Sequence, residues 1–151
     1  MDMMSALLYI HGVSFEEKNT WIYAAVAIGA YAAYLMTVLG RAHGGPLSSV
    51  AYVAPMLWTI GGAIVASIVG HLVISVARPS EAGRRDQRDK EIHRFGEYVA
   101  GIVLGVGVLV PFGLTMAAAD HFWIANSIYL AFTVSALCGT AVKLVAYRRG
   151  F

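Results

Sequence analysis

Long apolar stretches alternate with short polar segments along the chain. Four of these stretches, at approximately 19–39, 50–76, 96–119 and 122–146, are long enough to cross a membrane, since a hydrocarbon layer about 30 Å thick takes about 20 helical residues. None shows the alternation of apolar and polar residues that a membrane-barrel strand requires. A helix also satisfies its own backbone hydrogen bonds where no water is available. The pattern therefore predicts an all-α bundle of four transmembrane helices, forming a single integral membrane domain over residues 1–151.

Local signals mark the ends of these helices. Ser14 and Glu17 have the spacing of a capping box, which predicts that a helix begins there. The run Gly44–Gly45–Pro46 separates the first two helices, and Arg78–Pro79 closes the second. The third and fourth helices are joined by a very short turn around residues 119–121, so we expect them to be antiparallel neighbours.

Charge is concentrated between the second and third helices. The stretch EAGRRDQRDKEIHRFGEY, residues 81–98, carries ten of the twenty Asp, Glu, Lys and Arg side chains. The loop from 78 to 95 and the C-terminal tail hold nine of the eleven basic residues, and Lys18 precedes the first helix. Because loops rich in Lys and Arg stay cytoplasmic, the distribution predicts an N-in, C-in topology with a charged cytoplasmic loop. Arg41 is then the only basic residue on the outer side.

Composition agrees with a membrane protein. The hydrophobic class makes up 58% of the 151 residues and the charged class 13%, whereas soluble domains are roughly 25% charged. The net charge of +2 does not indicate nucleic-acid binding. Cys138 is the only cysteine, so an internal disulfide is impossible. Residues 1–13 lack the basic start of a signal peptide, and we expect them to lie against the cytoplasmic leaflet.

Rows of small residues predict how the helices pack, because in lipid close backbone approach provides the contact energy. Each helix has such a row, and together the four rows predict a compact bundle. Pro111 removes a backbone donor inside the third helix, so we expect a kink there. The rows are Ala25, Gly29 and Ala33; Gly62, Ala66 and Gly70; Gly101 and Gly105; and Ala131, Ser135 and Gly139.

Three ionisable residues lie inside the apolar segments, near their cytoplasmic ends: His71, Glu97 and Lys143. We predict that Glu97 pairs with Lys143 and that His71, with Asn19 and Thr20, lies nearby. Such a cluster has two interpretations. It is a structural ion pair that joins two antiparallel helices, or it relays protons or holds an anion.

A second candidate is the helical face formed by Asp89, His93 and Glu97, which follow one another at four-residue intervals. Carboxylate, imidazole and carboxylate can bind a divalent metal, but Asp86 and Lys90 have the spacing of an intrahelical ion pair. A solvated, salt-bridged extension of the third helix is therefore favoured over a metal site. No catalytic residue, metal site or cofactor is predicted, because no nucleophile elbow, phosphate-binding loop or pair of facing histidines is present.

Three parts of the sequence carry a resemblance to a known group of proteins. They are Ser14–Lys18 with Trp21, the loop RRDQRDKEIHRFGEY, and the last helix FWIANSIYLAFTVSALCGTAVKLVAYRRG. In these the chain resembles a family of small uncharacterised bacterial four-helix integral membrane proteins. Members typically carry DERD in the loop where this chain has DQRD, which removes one carboxylate and weakens the metal interpretation. The resemblance implies a multi-pass protein of the bacterial plasma membrane and transfers no catalytic residue.

These patterns favour a non-enzymatic protein that acts through helix packing and its charged loop. We expect an accessory or interaction subunit whose partners are the lipid bilayer and either further copies of the chain or another membrane protein. The alternative is a small dimeric transporter or proton-coupled permease, in which two copies build one pathway. An intramembrane enzyme has the least support, because the sequence shows no convergent set of polar groups.

Overall fold

The computed structural model describes residues 15–42, 44–77 and 87–149, and within these ranges the protein is helical with no β-strand. Within these ranges the fold consists of five α-helices and one short 3-10 turn. They are α1 (Phe15–Ala42), the 3-10 turn (Leu47–Ser49), α2 (Val53–Ala77), α3 (Gln87–Gly107), α4 (Leu109–Met116) and α5 (His121–Arg149).

In the part of the chain that the structure describes, four helical spans are long and apolar enough to cross a membrane. The third of them combines α3 and α4. The prediction of an all-α protein with four membrane-length helices is therefore confirmed, and the chain has the character of a membrane protein. The spans are Asn19–Ala42, Val53–Val73, Gln87–Met116 and His121–Arg149.

The third span begins earlier than its apolar segment. α3 starts at Gln87, nine residues before the predicted position 96, and runs without interruption through the described part of the charged stretch, residues 87–98. Lys, Arg and Glu are good helix formers, so the helix continues where hydropathy falls. Hydropathy locates the part of a helix that fits lipid rather than the whole helix.

Several predicted features lie outside the described residues. They are the segment 1–13, the Ser14 cap, the Arg78–Pro79 end of the second helix and the partner Asp86 of Lys90. The helix that the Ser14 signal predicts does begin at the next residue, Phe15.

The helical hydrogen bonding of the third span is interrupted where Pro111 predicts a kink. Pro111 has no backbone N–H, so the carbonyl of Gly107 loses its i+4 donor. α3 ends at Gly107, Val108 lies in a turn, and α4 begins at Leu109. The break is local, because the amide of Val108 still donates to Leu104 at 2.9 Å and that of Phe112 to Val108 at 3.1 Å.

Short connections at one end of the molecule fold the chain back on itself. Gly44 adopts φ +81°, a conformation that glycine reaches without the clash of a Cβ atom, and ends the turn after α1. Between α4 and α5, Ala118 adopts φ +50°. The Asp120 carboxylate then accepts a hydrogen bond from the backbone amide of Phe122 at 2.8 Å and caps the start of α5.

The four spans are arranged as a row rather than as a closed ring. α5 packs on both α1 and α3, α4 also packs on α5, and α2 packs on α1. Among the described residues, α2 and α3 make no extensive contact with each other. The compact bundle that the small-residue rows predict is therefore open on the side between α2 and α3.

Small residues join α3 to α5, but on a different face of α3 from the predicted one. Gly139 of α5 meets the backbone of Gly96 and the side chain of Ala100, so that a Cβ added at Gly139 would lie 2.9 Å from the Ala100 Cβ. No neighbouring atom of the described chain lies within 4 Å of such a Cβ at Gly101 or Gly105. The row Ala131–Ser135–Gly139 is confirmed as buried, whereas the contact predicted through Gly101 and Gly105 is wrong. Helix α3 carries small residues on two faces, and only one of them meets α5.

Aromatic side chains form the apolar core at the end opposite the ion pair. Tyr34 is fully buried, and its hydroxyl donates to the Asn126 side chain at 2.6 Å. Tyr129 meets Tyr34 edge-on with ring centroids 5.1 Å apart, a favourable arrangement of aromatic rings. Trp58, in contrast, is 82% exposed. Tyr31 packs against this core, and Trp58 lies outside it.

Candidate functional site

A cavity of about 590 Å³ lies among the ends of the spans, away from the aromatic core. Side chains from α1, α2, α3 and α5 contribute to its wall, and most of them carry polar atoms. Its size falls within the range of about 300–1,000 Å³ that is typical of small-molecule sites. The lining residues are Asn19, Thr20, Tyr23, His71, His93, Glu97, Ala100, Phe132, Ser135, Ala136, Gly139, Thr140 and Lys143.

An ion pair between α3 and α5 forms one wall of the cavity. Lys143 Nζ donates to Glu97 Oε1 at 2.6 Å. The Lys143 side chain is 15% exposed and that of Glu97 is 60% exposed. The aliphatic stem of Lys143 lies against Gly96, where any side chain would collide with it. The absence of a Cβ at position 96 therefore lets the ammonium group reach the cavity.

The opposite wall contains a polar contact between α1 and α2. Asn19 Nδ2 lies 3.2 Å from His71 Nδ1, so the amide group bridges the start of α1 and the end of α2. Asn19 is 6% exposed. Its Oδ1 atom is buried and accepts no hydrogen bond from any described residue. A buried carbonyl oxygen without a donor costs about 1–3 kcal/mol, so the atom marks a position where a donor is favoured.

Two hydroxyl groups on α5 line the cavity floor. Ser135 Oγ donates to the backbone oxygen of Ala100 at 2.7 Å, which ties α5 to α3. Thr140 Oγ1 donates to the backbone of its own helix, at Ala136, at 2.7 Å. Because each hydroxyl has used its hydrogen on a carbonyl, both present only oxygen lone pairs to other groups.

Contacts near the cavity bring four helix ends to the same side of the molecule. Glu97 and Lys143 join the first half of α3 to the last turns of α5, and Asn19 and His71 join the start of α1 to the end of α2. Arg148, in the last turn of α5, approaches Glu17 with an N–O distance of 3.9 Å. Its guanidinium also lies 5.7 Å from the centroid of the Trp21 ring.

The structure brings the predicted intramembrane residues together around one space. His71, Glu97 and Lys143 all line the cavity, as do Asn19 and Thr20. Glu97 and Lys143 touch directly, whereas the hydrogen bond between His71 and Asn19 joins a different pair of helices. The cluster is thus two separate polar contacts facing a shared cavity.

Only part of the predicted helical face formed by Asp89, His93 and Glu97 lines the cavity. His93 lines the cavity with Glu97, while Asp89 lies outside its wall in the first turn of α3. No group of three His, Cys, Asp or Glu side chains in the described ranges could hold a metal ion.

Sequence reasoning missed some of the polar lining. Ser135 was predicted only as a small residue for packing, and Tyr23 was not predicted to line a site. Thr140 was not singled out. Ser135 and Thr140 lie on α5 at separations of eight and three residues from Lys143, which helical periodicity places near the same face. Their spacing from Lys143 is the sequence feature that could have identified both residues as part of the lining.

No family model, curated protein sequence or solved structure matches the chain. The resemblance to small bacterial four-helix membrane proteins therefore stays a prediction.

Proposed function

We propose that the chain is a multi-pass protein of the bacterial plasma membrane that acts, without enzymatic activity, as an interaction subunit. Its partner is a second copy of the chain or another membrane protein. In this proposal the cavity end is cytoplasmic, because the Lys and Arg residues of the 78–95 segment and of the tail favour that side. Both termini are then on the cytoplasmic side.

The uncovered surface of α2 carries this proposal. Within the described chain α2 packs against α1. None of the residues in the most apolar 18-residue stretch of α2 is buried. Gly61 and Gly62 have open space where a side chain would stand. In lipid, small residues favour close approach of another helix, whereas an isolated helix gains little from them. This face therefore supports association with a further helix.

Self-association is tested by measuring the mass of the protein in mild detergent and by crosslinking it in native membranes. We expect a dimer, and we expect Gly62→Leu to shift it toward the monomer by blocking close approach. Gly113→Leu, at another open glycine in α4, is the matched control and should leave the dimer unchanged. A monomer in both assays, with no second protein copurifying, would argue against an interaction subunit.

The cavity favours a second candidate, a small dimeric transporter or proton-coupled permease. Polar side chains of α1, α2, α3 and α5 surround it, and it contains the ionisable residues Glu97, His71 and Lys143. Ionisable groups inside membrane spans commonly mark ion or substrate pathways. Proteoliposomes containing a pH-sensitive dye would measure proton flux. Flux that requires both Glu97 and His71 supports this candidate, and flux that Glu97→Gln and His71→Ala leave unchanged removes it.

A further inference from the structure

The cavity extends along α5 for about half the thickness of a membrane. Its lining on this helix runs from Lys143, near the cytoplasmic end in the proposed orientation, to Phe132. These eleven residue steps correspond to about 16 Å at about 1.5 Å a residue, against about 30 Å for the hydrocarbon layer. One turn further along α5, Tyr129 is buried in the aromatic core. The cavity therefore reaches from the helix ends toward that core.

Charged and polar side chains line the cavity at the helix ends. Glu97 and His93 are exposed there, and Lys143 Nζ donates to Glu97. The cavity is open to its surroundings rather than enclosed. Ionised side chains are costly against hydrocarbon, so lipid tails are a poor filling for this space. A polar cavity of about 590 Å³ has room for more than ten water molecules at about 30 Å³ each.

We infer that the cavity is an aqueous vestibule that admits small hydrophilic solutes from the cytoplasmic side and ends at the aromatic core. The ion pair of Glu97 and Lys143 lies at its mouth. The buried rings of Tyr34 and Tyr129 form the barrier between the vestibule and the other side of the membrane. The inference goes beyond the proposed interaction subunit, since a vestibule requires neither dimerisation nor transport.

Cysteine labelling tests whether water reaches the deep part of the vestibule. In a Cys138→Ala background, Ala136→Cys places a thiol on the lining, and Val134→Cys places one at an exposed position of α5 outside it. A charged, hydrophilic thiosulfonate reagent reacts with the thiolate, which forms in water and is disfavoured in apolar surroundings. We expect position 136 to react at least about tenfold faster than position 134. The faster reaction should occur from the side on which Arg88→Cys reacts, measured in intact cells and in inside-out vesicles.

A second measurement tests whether the reagent passes the ion pair. Lys143→Met leaves the Glu97 carboxylate at the mouth without its counter-charge, which attracts a cationic reagent and repels an anionic one. We expect the ratio of the cationic to the anionic labelling rate at position 136 to rise about threefold. Arg149→Met is the matched control, because it removes the same charge about 20 Å from position 136 along α5. The control should leave the ratio unchanged.

Equal rates at positions 134 and 136 overturn the inference, as does a faster reaction at 136 from the side opposite to Arg88→Cys. A ratio that Lys143→Met leaves unchanged overturns the assignment of the mouth. If Ala136→Cys does not fold, Thr140→Cys on the same lining takes its place. If Lys143→Met does not fold, the comparison of positions 134 and 136 decides alone. The dimer measurement is independent, so a monomer with rapid labelling at 136 would remove the interaction subunit and retain the vestibule.

Discussion

Lys143 and Glu97 form an ion pair whose two members are unequally exposed. The nitrogen and oxygen atoms are 2.6 Å apart, with Lys143 15% exposed and Glu97 60% exposed. Removing the carboxylate leaves an ammonium group with little access to solvent, whereas removing the ammonium leaves a carboxylate that solvent or headgroups can reach. The two members of the pair are therefore not equivalent for stability.

We expect Glu97→Met to lower the free energy of unfolding by about 2 kcal/mol and Lys143→Met by less than about 1 kcal/mol. The double variant should recover part of the loss, because neither charge is then left alone. Unfolding in mixed micelles with increasing dodecyl sulfate measures all three. Equal losses for the two single variants, or a larger loss for Lys143→Met, would contradict this account of the pair.

The contact between Gly139 and Gly96 sets the distance between α3 and α5. A methyl group at position 139 would lie 2.9 Å from both the Gly96 oxygen and the Ala100 Cβ, so the helices must separate. We expect Gly139→Ala to lower the free energy of unfolding by about 1–3 kcal/mol. The same unfolding assay measures it.

Gly101→Ala is the matched control for that prediction. Position 101 lies on the same helix as Gly96 but has no neighbouring atom within 4 Å in the described chain. The added methyl group should be neutral or stabilise the helix by up to about 1 kcal/mol. Loss of stability in Gly101→Ala with none in Gly139→Ala would reverse the assignment of the packing face.

The hydrogen bond from Tyr34 to Asn126 joins α1 to α5 in the aromatic core. Tyr34→Phe removes the hydroxyl and leaves the Asn126 oxygen without this donor, while the ring packing is retained. We expect a loss of about 1 kcal/mol in the unfolding assay, the usual size of such bonds between membrane helices. Tyr98→Phe, at a residue that is 67% exposed, should have no measurable effect. A stability equal to that of the unaltered chain would show that the bond contributes nothing.

The four apolar stretches predicted the general fold. The positions of the ionisable residues along those stretches predicted part of the site. Glu97 and Lys143 lie near the ends of antiparallel neighbours, so their meeting followed from connectivity. The contact face of α3 did not, because Gly96 and Ala100 compete with Gly101 and Gly105 as small-residue rows, and only the partner helix decides between them.

The start of α3 was predicted in part, because the four-residue spacing of Asp89, His93 and Glu97 favoured a polar extension of the third helix before its apolar segment. Its first residues are polar but favour helix, so the helix and the apolar segment have different beginnings. The unpartnered oxygen of Asn19 could not be predicted from the sequence either, because it depends on which atom of the Asn19 amide faces His71.

We propose that four helices cross the membrane with the cavity end in the cytoplasm, and the accessibility of single cysteines tests this most directly. In a Cys138→Ala background, single cysteines at Gly45 and at Arg88 would be tested in intact cells with a membrane-impermeant maleimide. We predict labelling at position 45 without permeabilisation and at position 88 only after it. Labelling of position 88 in intact cells, or recovery of the chain in the soluble fraction, would contradict the account.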